Sequence, residues 1–235
     1  MYILDMDKYL VMGRLFFIGM LLFPLLGAGR VMAHDKAGKN FPGKSGLPEL
    51  IWEVGYASSA DDVPDRFVPA KVPGAVQLDI ARADEYPDYH YADNYKLFGW
   101  MEDKFYTYRT SFAMPALKAG QRLWFVSKGI DYEFDILLNG EVIHSQEGMF
   151  TYVELDLTDR LTSYNILEIK VMPVPKTVPY PSDRSQASAF AKPPVSYGWD
   201  WHPRLVPLGI WDDTYIEARM ESYLEDVYVD YDLSD

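Results

Sequence analysis

The run Ser196-Tyr197-Gly198-Trp199-Asp200-Trp201-His202-Pro203-Arg204-Leu205 sets one carboxylate between two indoles and follows it with an imidazole and a guanidinium. Those groups allow two kinds of chemistry. In a structural corner the tryptophans pack, and Asp200 pairs with Arg204 or caps a turn. In a binding site the indoles offer flat apolar walls and the carboxylate holds hydroxyl groups, the usual composition of a ligand pocket. For Trp199 and Trp201 taken alone, packing is the simpler account. His202 beside Pro203 reads as a locally hydrogen-bonded histidine.

Other constellations carry less. Gly38-Lys39-Asn40-Phe41-Pro42-Gly43-Lys44-Ser45 fits the spacing of a phosphate-cradling loop. That loop works only between a strand and a helix N-terminus, and here Gly46-Leu47-Pro48 follows and opens no helix. The acidic pairs Asp61-Asp62 and Asp212-Asp213 read as solvated turn and strand-end charges. No Gly-x-Ser-x-Gly elbow is present. The chain has no Cys, which excludes disulfides and thiolate chemistry. Its four histidines are scattered, with no helix-spaced pair, so no metal site is expected. No cofactor is expected either.

The balance of charge bears on partners. The 235 residues carry a net charge of −13. That disfavours nucleic acid, whose phosphates need a clustered Lys/Arg footprint, and anionic membrane surfaces. A neutral ligand such as a sugar is indifferent to that field. Aromatics make up 15% of the chain, led by 18 Tyr, which suits sheets and stacking surfaces.

The first 33 residues read as an address. Arg14 precedes the apolar run of residues 15–29, and Val31-Met32-Ala33 has the small residues a signal peptidase reads. Pro24 interrupts the run, which is shorter than the ~20 residues a spanning helix needs. The expectation is a signal peptide over residues 1–33, a flexible mature N-terminus over 34–46, and export to a periplasm or the cell exterior. No membrane association is expected after cleavage. The acidic leader before Met12 fits a positive n-region poorly, which points to Met12 rather than Met1 as the start.

What must position the candidate residues is a set of strands. Tyr106, Tyr108 and Phe112 share one face of a period-2 run, with Arg109 and Ser111 on the other. Arg109 reads as a structural ion-pair partner. Residues 152–157 alternate with Val153, Leu155 and Leu157 inward. Residues 166–171 alternate with Leu167, Ile169 and Val171 inward. Gln121–Ser127 is apolar on both faces, as a central strand is. Asn139-Gly140 between two apolar runs predicts a type I′ hairpin, since both residues must take positive φ. Residues 210–219 read as one strand, and residues 77–84 as the only short helical period. Short strands separated by turn signals predict an antiparallel sandwich. Two segments resist the sheet pattern, 83–99 and the Pro-rich 173–194. Connections of that length inside a compact domain are functional or disordered. The second delivers the chain into the Trp-Asp-Trp run. Residues 224–230 start another strand-like run with no partner left in the sequence.

Several motifs, in order, carry a resemblance. Val72-Pro73-Gly74-Ala75-Val76-Gln77-Leu78-Asp79 resembles the "VPG-x-V-x-x-D" segment of glycoside hydrolase family 2, and Tyr91-Ala92-Asp93-Asn94 the "Y-x-D-N" loop of its β-mannosidase branch. Tyr106-Thr107-Tyr108-Arg109-Thr110-Ser111-Phe112 resembles its "W-x-Y-R-x-x-F" strand. Gly129-Ile130-Asp131 with Leu138-Asn139-Gly140, and Gly148-Met149-Phe150, look like "G-L-D…L-N-G" and "N-M-F". The Trp-Asp-Trp run with Gly209-Ile210-Trp211 resembles "S-F-G-W-D-W-G-P-R…G-I-W". His202 stands where the family often has Gly, and Phe105 or Tyr106 where it has Trp.

The resemblance implies an all-β fold, an antiparallel jelly-roll β-sandwich of galactose-binding-domain type, over residues 47–220. It implies a sugar-binding domain of an exo-acting β-mannosidase, with residues 221–235 starting an immunoglobulin-like domain and a (β/α)₈ barrel supplying two catalytic glutamates. On the same resemblance Asp200 contacts hydroxyls of the terminal sugar, Trp199 and Trp201 line that subsite, and Asn94 is a further candidate. The ligand is a β-mannoside or related glycoside. Retaining hydrolysis needs two carboxyls roughly 5–5.5 Å apart, and the family's acid/base sits in an Asn-Glu pair. Asn40, Asn94, Asn139 and Asn165 are followed by Phe, Tyr, Gly and Ile. No catalytic residue is therefore expected in these 235 residues, and the chain alone is expected to be inactive. Three alternatives stay open: a stand-alone secreted carbohydrate-binding module, the equivalent domain of a β-galactosidase or β-glucuronidase, and a surface-interaction sandwich with no sugar specificity.

Overall fold

The computed structural model describes residues 46–223 and 228–231. The expectations for residues 1–33 and 34–45, and for most of the 224–230 run, lie outside those residues. Residues 228–231 take no regular secondary structure.

The strands are β1 (Trp52–Ala57), β2 (Phe67–Ala70), β3 (Phe105–Ala113), β4 (Gln121–Ser127), β5 (Ile130–Asp131), β6 (Glu133–Leu138), β7 (Glu141–Glu147), β8 (Val153–Asp156), β9 (Tyr164–Val171), β10 (Gly209–Ile210) and β11 (Thr214–Met220). Among the described residues a short helix α1 (Val76–Ala83) and four 3-10 segments complete the elements. Every strand pairing is antiparallel. One sheet has six strands in the order β2-β1-β3-β9-β6-β7, another three in the order β11-β4-β8, and β10 pairs with β5.

The period-2 patterns translate directly into the core. From the large sheet Tyr106, Tyr108, Ile136, Leu167, Ile169 and Val171 are fully buried, and they join Leu123, Phe125, Val153 and Ile216 of the small sheet in one cluster. This is a β-sandwich held by apolar burial, worth about 1.5–3 kcal/mol per large side chain removed from water. β4 lies between β11 and β8 as the central strand of the small sheet; Leu123 and Phe125 face the core, and Arg219 lies over Trp124 on the other face. Asn139 and Gly140 take φ of 54° and 84° at the β6–β7 turn, the backbone a type I′ hairpin requires.

One expected element divides. Residues 210–219 form two strands, because Trp211 leaves the ladder between them. Its indole covers Gly129, where a Cβ would lie 2.4 Å from the ring, and its Nε1–H donates to Met149 O at 3.1 Å. β10 therefore pairs with β5 while β11 pairs with β4. Asp213 meets Lys128 at 3.1 Å and Asp61 lies in an exposed turn, so neither acidic pair is gathered into a site. Arg109 pairs with Glu53 at 2.8 Å and stacks over Phe67.

Candidate functional site

The two segments that resist the sheet pattern leave the sandwich at the same end. Tyr106 at the start of β3 lies opposite Val171 at the end of β9. The first segment ends in the 3-10 run Asn94–Asp103 just before β3, and the second starts at Met172 just after β9. Antiparallel neighbours must place those two connections side by side.

The Pro-rich segment is built, and its framework is polar. Tyr197 donates its hydroxyl proton to Pro175 O at 2.7 Å. The buried Gln186 amide donates to Val178 O and Pro179 O, each at 3.1 Å. Lys192 is buried completely; its ammonium pairs with Asp131 of β5 and donates to Pro207 O at 2.6 Å. Burial raises the Asp131 carboxyl and lowers the Lys192 ammonium from their ordinary values, and each charge opposes the other's shift. Arg204 grips Glu102 through two hydrogen bonds of 2.9 and 2.7 Å, bringing the end of this segment onto the 3-10 run of the other. Farther along, Gln77 of α1 donates to Val206 O at 2.9 Å and accepts from Leu208 N–H at 3.2 Å.

On this platform stands a tight turn. Trp199 N–H donates to His202 O at 2.9 Å and His202 N–H to Trp199 O at 3.2 Å, leaving Asp200 and Trp201 at the corner. Both corner residues are exposed, Trp201 at 76%. The two indoles meet at 5.5 Å with a 68° angle between planes. Arg184 lies over Trp199, its guanidinium carbon 3.7 Å from the ring centre. Arg204 does not pair with Asp200, because Glu102 takes both of its forked donors. Among the described residues the Asp200 carboxylate makes no hydrogen bond or ion pair, so neither corner role considered for it, pairing with Arg204 or capping, is realised. His202 Nδ1 lies 2.6 Å from Pro203 O and must be its donor, since a carbonyl only accepts.

Behind the turn lies a cleft of about 260 Å³, lined by Gln77, Tyr89, Phe98, Glu102, Ser196 and His202 among others. His202 thus belongs both to the turn and to the lining of the cleft. Asn94 does not line the cleft; its amide donates to Asp88 O at 2.8 Å and closes its own loop. The structure brings Trp199, Asp200 and Trp201 together and leaves Asn94 in a local bond. Sequence reasoning missed Arg184, Gln77, Lys192 and the Glu102–Arg204 pair as builders of this end. Their only sequence signal is position inside or beside the two long connections.

An antiparallel sandwich that projects a carboxylate and two indoles from one long connection has the composition of a saccharide-binding domain. Residues 52–212 match the family model described as glycosyl hydrolase 2 galactose-binding domain-like, and the chain belongs to that family. It is similar to beta-mannosidase B of Aspergillus clavatus, 27% identical over 198 residues, which cover 76% of this chain and 23% of that enzyme. It is similar to the beta-mannosidase of Mus musculus, 28% identical over 217 residues, or 83% of this chain and 24% of that one. The beta-D-mannosidase of Dictyoglomus thermophilum superimposes with a TM-score of 0.60 at 28% identity, over 74% of this chain and 22% of that one. The chain thus spans less than a quarter of the length of these relatives. It corresponds to the N-terminal domain of β-mannosidase-like members of glycosyl hydrolase family 2.

Proposed function

We propose that this domain forms one wall of the subsite that holds a terminal β-linked mannose, in an exported β-mannosidase-like enzyme. The observation that carries the reading is the exposed Asp200 carboxylate. It sits at the corner of a hydrogen-bonded turn, without a partner among the described residues, beside two indoles. A carboxylate accepts hydrogen bonds from sugar hydroxyls, and an indole packs on the C–H face of a pyranose. The names of the relatives supply the sugar. The hydrolytic carboxyls belong to a (β/α)₈ barrel joined through an immunoglobulin-like domain, and the sandwich binds without cleaving. Export rests on residues 1–33 read as a signal peptide, with a periplasmic or extracellular destination.

Isothermal titration of the 235-residue chain with methyl β-D-mannopyranoside tests the reading. The expected result is weak saturable binding, about millimolar, abolished in Asp200→Ala. The same chain is expected to release no chromophore from a chromogenic β-mannoside. Binding that is equal in wild type and Asp200→Ala would remove Asp200 from the subsite.

A further inference from the structure

The two tryptophans beside Asp200 are not equivalent. Arg184 opens the 3-10 turn Arg184–Ala187 in the Pro-rich segment, and its guanidinium lies 3.7 Å over the Trp199 ring. A ring face covered by a cation cannot also stack on a sugar. Trp201 is 76% exposed, and its contact with Trp199 is an edge-on one at 68°. Trp199 is therefore half-committed to Arg184, while Trp201 keeps a free surface.

Stacking on an indole consumes none of the guanidinium's N–H donors. Arg184 is exposed, and among the described residues it makes no hydrogen bond or ion pair. Held on the ring, its planar fork is oriented in advance and loses less freedom on binding than a loose side chain. Asp200 follows Trp199 directly. A carboxylate only accepts and a guanidinium only donates, so a hydroxyl that donates to one leaves a neighbouring oxygen to accept from the other.

We propose that Arg184 is the donor half of the sugar subsite, with Trp199 as its pedestal and Trp201 as the ring on which the sugar stacks. The ligand class is a neutral pyranose with two adjacent free oxygens at its non-reducing end. This inference rests on the reading of Asp200 as a sugar ligand and adds a specificity-determining residue to it. It predicts that Trp199 acts through Arg184, so that losing either residue costs the same interaction.

The test is titration of methyl β-D-mannopyranoside into wild type and Arg184→Ala, Arg184→Lys, Trp201→Ala and Asp200→Ala, followed by the indole N–H resonances and by calorimetry. Arg184→Ala is expected to weaken affinity about tenfold or more, the loss of a charge-assisted hydrogen bond. Its thermal midpoint should stay at the wild-type value, since the side chain is exposed. Arg184→Lys is expected to stay weak, because an ammonium supplies charge without the flat fork. Trp201→Ala should lose binding as well. If Asp200→Ala abolishes binding while Arg184→Ala matches wild type, the role of Arg184 is overturned and the sugar reading stands. Full affinity in Arg184→Lys overturns the fork and reduces Arg184 to its charge. If wild type shows no saturable binding up to the solubility of the sugar, both readings fall.

Discussion

The sandwich and the Pro-rich connection are ordered by opposite means. In the sandwich, alternating apolar side chains from two sheets share one dry core, and the polar groups of the backbone are satisfied by the ladders themselves. The segment 172–208 forms no strand of its own, and it reaches the core through a few anchors, Val174, Tyr197, Val206 and Leu208. Between those anchors it is held by side chains that reach backbone carbonyls (Tyr197, Gln186, Lys192) and by the Arg204–Glu102 fork. The first kind of order is non-directional and tolerates variation in packing. The second depends on single donors and acceptors, each costly to leave unmade once buried. That division suits a binding tip, which must present polar groups to a ligand yet hold still.

Substitutions separate the two regions. Phe125→Ala in β4 should give the largest loss, about 3–5 kcal/mol, read by denaturant unfolding, with the whole sandwich melting at lower denaturant. Lys192→Met should cost about 3 kcal/mol or somewhat more, because it strands the buried Asp131 carboxylate. Replacing both partners, Lys192→Met with Asp131→Leu, should recover much of that loss. Limited proteolysis should then find new cleavage sites within 176–190 in the single variant while the β3–β9 core stays protected. Protection of that segment in Lys192→Met would break the comparison, since the platform would then not depend on its polar linchpin.

A smaller effect is expected from pH. Arg219 donates to both Glu154 oxygens at 3.0 and 2.8 Å, which holds the Glu154 carboxyl below its ordinary value. The folded pKa then lies below the unfolded one. The linked stability is present above the unfolded value and is lost as pH falls through the folded one. The thermal midpoint should therefore decline on acidification below about pH 4.5, and Glu154→Gln should flatten that part of the profile. The smallest effect on stability belongs to Asp200→Ala, within about 0.5 kcal/mol. It should be the variant in which sugar binding and stability part company.

Much of the sandwich was legible because its signals are local. The faces of β3, β8 and β9, the central place of β4 and the Asn139-Gly140 turn all follow from period-2 patterning and backbone preference over a few residues. The split between β10 and β11 was not legible. It depends on Trp211 meeting Gly129 and Met149, residues of other connections. The candidate site divides the same way. Trp199, Asp200 and Trp201 stood out as neighbours in sequence, and Asn94 stood out by motif. The sequence pairing of Asp200 with Arg204 was a reasonable local guess that Glu102 pre-empts from the other long connection.

Local chemistry in the chain was thus enough to specify an antiparallel sandwich, its inward faces and a carboxylate flanked by indoles, because adjacency and periodicity need no knowledge of distant partners. Only the folded structure decided that the Pro-rich segment is a platform rather than a loose loop, that Asp200 is left without a partner among the described residues, and that Arg184 covers one of the two tryptophans. Those outcomes turn on directional contacts between residues far apart in sequence, and which donor reaches which acceptor is settled only when the sheets have brought the two connections to one end.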